Sequence, residues 1–99
     1  PLRIVYVGGT AIPFNGTAAY YDQYIASSKK LAKAAADYGA TVLLSNHTEF
    51  DNGYYKAQTA ANRKPGESNP FDVGRGGVAR YFTVVQNCTE AAKLRAAKM

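Results

Sequence analysis

Ninety-nine residues carry twelve Lys or Arg against seven Asp or Glu, a formal net charge of +5, with 46% hydrophobic residues. That is enough chain for one small domain, and the eight Tyr and four Phe exclude a disordered composition. One cysteine excludes an internal disulfide framework and every multi-cysteine zinc motif, and no apolar run nears the roughly 18 residues of a membrane span.

Residues 2–8 mix alternation with β-branched side chains and read as a strand. Its centre, Ile4 to Val7, is almost continuously apolar, so burial on both faces is expected. Gly8 and Gly9 end it in a sharp turn. Neither phosphate-loop spacing is present there, which leaves a tight turn as the reading of the glycine pair. After a loop over 10–16, Tyr21, Tyr24, Ile25, Ser28, Leu31, Ala32 and Ala35 recur at the spacing of one helical face. Thr17 is the expected N-cap, and Gly39 the residue that stops this helix.

Residues 41–44 form a short second strand by composition, stopping at Ser45, Asn46 and His47. A second helix is expected over 51–63, with Tyr54, Ala57, Gln58 and Ala61 on one side; Pro65 and Gly66 forbid its continuation. A loop over 64–70 leads to the last helix, which starts between 73 and 77 and runs to about 97. Its expected stripe is Val78, Tyr81, Phe82, Val85, Cys88 and Ala92, with Cys88 a small buried hydrophobe. The fold class is therefore α/β, in the order β-α-β-α-α, with the strands parallel across a crossover helix. Two strands make a poor sheet, and the chain opens at Pro1 and reads as a strand within a residue. Residues 1–99 are thus expected to be a single incomplete domain, the C-terminal segment of a longer one.

The cations are scattered, the longest basic run being two residues, and Lys29, Lys30 and Lys33 fall on outward helix positions. Nucleic-acid surfaces concentrate such charge on one face and interleave aromatics, so no nucleic-acid partner is expected. His47 is the only histidine, and it directly follows a strand, where open α/β sheets line their ligand crevice. An imidazole there suits metal ligation or proton transfer, and equally an ordinary loop position. One histidine cannot complete a zinc site, which takes at least three protein ligands. Sequons stand at Asn15, Asn46 and Asn87; Asn15, in a loop, is the glycosylation candidate, with a secreted or periplasmic location following from it.

The run Val42-Leu43-Leu44-Ser45-Asn46-His47 resembles the strand and terminal histidine of the metallo-β-lactamase superfamily. The likeness is greatest to the third β-lactamase subclass and its β-lactamase-like relatives. Tyr24-Ile25-Ala26-Ser27-Ser28 resembles that subclass's crossover helix. Lys64-Pro65-Gly66-Glu67, Asn69-Pro70-Phe71 and Val78-Ala79-Arg80-Tyr81-Phe82 resemble its last loop and helix. The resemblance implies the C-terminal part of an αβ/βα sandwich from a zinc-dependent hydrolase. In it His47 is the last ligand of the second of two zinc ions, which together activate water against an amide or ester of a small-molecule substrate. The other ligands, a His-x-His-x-Asp-His segment and one more histidine, are not in this sequence. The resemblance also makes Gly9, Thr10, Ala11 and Asn46 the substrate-loop candidates. That subclass places serines before the loop proline, whereas residues 9–13 hold only the Thr10 hydroxyl, so recognition of a β-lactam carboxylate is not implied. Ala40 stands where the subclass has a cysteine to pair with that of the last helix, which implies an unpaired Cys88. The alternative is a non-enzymatic binding or self-assembling module that keeps the fold elements. Its partners are the missing N-terminal part of the domain or copies of itself.

Overall fold

The computed structural model describes residues 2–8, 12, 15–45 and 51–98. The order is β1 (Ile4–Val7), α1 (Ala18–Tyr38), β2 (Val42–Ser45), α2 (Gly53–Ala61) and α3 (Gly74–Ala97). This is a mixed α/β arrangement in which β1 and β2 pair in parallel, Ile4 opposite Val42 and Val7 opposite Ser45. The helical crossover supplies the length that a parallel pair requires.

α1 follows its sequence pattern closely. The Thr17 hydroxyl accepts from the Tyr20 amide at 3.1 Å, satisfying one of the orphan donors of the first turn. At the other end Gly39 has φ +78°, a left-handed conformation that a glycine adopts without penalty. Its amide and that of Ala40 close back on Ala35. Tyr21, Ser28 and Ala35 are buried, with Tyr24, Ile25, Leu31 and Ala32 half-buried beside them. The Tyr21 ring is fully buried, and its hydroxyl accepts from the Gly16 amide, so the polar tip is satisfied where the chain enters the helix.

The core lies between one face of the sheet and two helices. Val5, Val7 and Leu43 pack against Ala35 of α1 and Val78 and Phe82 of α3. Both long helices therefore cover the same side. The expectation that Ile4–Val7 is buried on both faces fails: Val5 and Val7 point inward, whereas Ile4 and Tyr6 are 49% and 60% exposed. Strand alternation sends them to the opposite face, which is open along β1, although Val42, the register partner of Ile4 on that face, is buried. The free edge of β2 is partly closed, since Val42 bridges Asp72 and the Thr41 carbonyl accepts from the amides of Val73 and Gly74.

Two arginines tie the layers to the carboxyl end of α1. Arg3 donates to the Tyr38 carbonyl at 2.7 Å and lies over the Tyr38 ring, while Arg75 donates to the Ala36 carbonyl at 2.6 Å. Helix carbonyls without intrahelical donors, at the negative end of the macrodipole, explain why cations settle there.

The expected second helix is present but shorter, and the expected burial of Cys88 is corrected. α2 begins at Gly53 and ends at Ala61, and it buries no residue; Tyr54, Ala57, Gln58 and Ala61 are all exposed. On α3 the inward row is Val78, Phe82, Val85 and Thr89, and Cys88 is exposed. A repeat of seven residues joins Phe82 to Thr89, whereas Cys88 repeats the half-buried Tyr81 at the margin of the stripe. Thr89 tolerates complete burial because its hydroxyl donates to the Val85 carbonyl at 2.7 Å. Cys88→Ser is accordingly expected to change stability by less than about 0.5 kcal/mol. Thr89→Ala, which empties a buried site, is expected to cost about 1–2 kcal/mol in urea unfolding. The opposite ranking would return Cys88 to the core.

Candidate functional site at the strand ends

Parallel strands end on the same side of a sheet, and the register sets Val7 beside Ser45. Gly8 thus leaves β1 next to Ser45, the last residue of β2. This is the edge at which open α/β sheets gather ligand-binding groups. Gly8 is exposed and does not take a positive φ, and a Cβ there would meet Tyr6 at an ordinary 3.6 Å. The turn expected of the glycine pair therefore does not depend on Gly8. Gly9, Thr10, Ala11, Asn46 and His47 lie outside the described residues.

What the structure does describe is how the stretch containing His47 is bracketed. Asp51 is buried at 6% exposure, and its two carboxylate oxygens are divided between two backbone amides. Oδ2 accepts from Ser45 N, the last residue of β2, at 2.7 Å; Oδ1 accepts from Gly53 N, the first residue of α2, also at 2.7 Å. One anion thus holds the residues flanking 46–50 on both sides. Bonds of this length to an ionised acceptor are the charge-assisted kind, stronger than neutral ones.

The local sequence explains the geometry. Asn52 sits at φ 57°, the left-handed region that asparagine enters more readily than most residues. The chain then doubles back far enough for Gly53 N to reach Asp51. A Cβ on Gly53 would stand 2.7 Å from Oδ1, so only glycine fits without movement. Asp-Asn-Gly is a turn signal, with an aspartate bonding the backbone two residues on. Residue by residue it was available in the sequence, but the second bond, to the end of a strand, was not.

The remaining site candidates stay apart. Asn15 is exposed in a bend before α1, and Asn87 is exposed in the middle of α3. Among the described residues no three of His, Cys, Asp and Glu come together as a metal-ligating group. Charge is spent locally: Lys33 pairs with Asp37 along α1, and Lys93 of α3 pairs with Asp22 of α1, each at 2.7 Å. In each lysine the hydrogen bond to the aspartate, and then its charge, raises the ammonium pKa. No helix among the described residues is long and apolar enough to cross a membrane.

Comparison with known proteins finds no matching family model, no matching curated protein and no matching solved structure. Among the described residues the class is a mixed α/β unit, a two-stranded parallel sheet with two long helices on one face, together with a third, short helix.

Asp51→Ala leaves two amides without their acceptor and is expected to lower stability by about 2–3 kcal/mol. Hydrogen exchange at Ser45 and Gly53 should accelerate well beyond that at Val5 or Leu43. Equal acceleration everywhere would mean that the carboxylate has no local role.

Proposed function

We propose that this chain is a segment of a β-lactamase-like zinc hydrolase, to which it contributes His47 as one metal ligand. The observation that carries the reading is the Asp51 carboxylate, which bonds both Ser45 and Gly53 and so brackets the histidine-bearing stretch at the carboxyl end of a parallel strand. The uncovered row of Leu2, Ile4 and Tyr6 supports it, because a sandwich needs a second layer on the face opposite the helices. The described residues by themselves do not fit a zinc centre. The sequence has one histidine, so the other ligands belong to polypeptide outside it, and no hydrolytic step is assigned to residues of this segment. In that reading the substrate carries an amide or ester, and Gly9, Thr10, Ala11 and Asn46 form this segment's share of the substrate loops.

Metal analysis tests the role of His47. A protein joining this segment to the rest of its sheet should hold about two zinc ions, and His47→Ala should remove about one. Unchanged zinc content overturns the assignment.

A second reading, a non-enzymatic module that assembles through its sheet, is favoured by the same apolar row. Leu2, Ile4 and Tyr6 are 48%, 49% and 60% exposed on alternate positions, a concentration that soluble monomers seldom display. Sedimentation velocity should then show association that rises with concentration and falls on replacing Ile4 and Tyr6 together by threonine. A monomer at every concentration overturns the assembly reading.

A further inference from the structure

A cavity of about 420 Å³ opens between the amino-terminal half of α1, the middle of α3 and the end of β1. Its volume falls in the range of small-molecule sites. The floor is apolar, formed by Val7, Leu31, Phe82 and Val85. One wall is polar and comes from consecutive turns of α1: Gln23, Tyr24, Ser27 and Ser28. The geometry points to a binding site for a small uncharged aromatic molecule that carries an amide or hydroxyl group.

Three features select that class. Among the described residues the lining contains no Asp, Glu, Lys, Arg or His, so an ion beside them loses water without gaining a counter-charge. Benzene-like rings match the floor, because Phe82 and the half-buried Tyr24 both line the cavity and aromatic pairs are favourable. Finally, the polar wall both gives and takes hydrogen bonds. Tyr24 keeps its phenolic proton through neutral pH, since burial, and then the neighbouring Tyr81 and Tyr20, push its pKa upward. The buried Ser28 hydroxyl meets Gln86 only at a long 3.5 Å, and Ser27 stands exposed at the rim. The proposal uses only the described lining residues and does not depend on a metal at His47.

Probes of one shape and three charges test the assignment: benzamide, benzoate and benzylamine, each titrated into the isotopically labelled 99-residue chain. Benzamide should shift the amide resonances of Gln23, Ser27, Leu31 and Val85 and saturate in the millimolar range. Benzoate and benzylamine should bind at least roughly tenfold more weakly, as for a desolvated ion without a partner. Ser27→Trp, a rim substitution with little bearing on the fold, should weaken benzamide by roughly tenfold or more, and Tyr24→Phe by a smaller factor. Shifts confined to other surfaces such as Tyr54 and Tyr55, equal affinity for all three probes, or undiminished binding to Ser27→Trp would each overturn the proposal.

Discussion

Everything else in this structure depends on two long helices lying on one face of a very small sheet. Val5, Val7 and Leu43 meet Ala35, Val78 and Phe82 there, and no second cluster of comparable size stands elsewhere among the described residues. Ala35 matters by being small, because the helix can then approach the strands closely enough to exclude water. Dispersion and burial act together in such a contact, and both fall off steeply if a gap opens. The ends of α1 are fastened where this contact needs them: the Thr17 cap at one, Gly39 with Arg3 and Arg75 at the other. α3 is held across it by the buried row that ends in Thr89 and by the Lys93–Asp22 pair.

That same packing explains what is left over. A sheet has two faces, and helices placed on one of them leave the β1 side of the other to water. Ile4 and Tyr6 are exposed because they alternate with Val5 and Val7, not because their side chains suit solvent. The strand ends follow as well, since a parallel pair held by a crossover helix must finish at a common edge. At that edge the fold invests a buried anion, Asp51, in two backbone amides. Helix α2 follows directly after this fixed point and buries nothing of its own. Its position is thus set by the turn at its start and not by a packed face.

Parts of this were legible in the sequence for definite reasons. The order of strands and helices, the parallel pairing, the α1 face, the Thr17 cap and the Gly39 stop rest on periodicity and on backbone conformations that few residues adopt. The α3 row was harder. Cys88 and Thr89 are neighbours, and composition alone ranks the thiol as the more buried. The turn of the helix decides otherwise, and a hydroxyl bonded to Val85 removes the cost of burying threonine. For α2 the spacing of Tyr54, Ala57, Gln58 and Ala61 matched a helical face, yet a face buries only if another surface meets it. Asp51 shows the same limit at the candidate site. Its bond to Gly53 is local, while its bond to Ser45 exists only because the chain returns to the end of β2.

The sequence by itself determined the secondary structure, its order and the absence of a disulfide or multi-cysteine metal framework, since these depend on composition and on interactions within a few residues. It also singled out His47 as the one imidazole, placed just beyond a strand. Only the tertiary structure decided which face of β1 is covered, which of two adjacent α3 residues turns inward, that Asp51 joins a strand end to a helix start, and that a cavity opens beside Phe82. Those outcomes depend on which surfaces meet in space. Alternation along a strand or a helix names two candidate faces, and packing against a partner is what chooses between them.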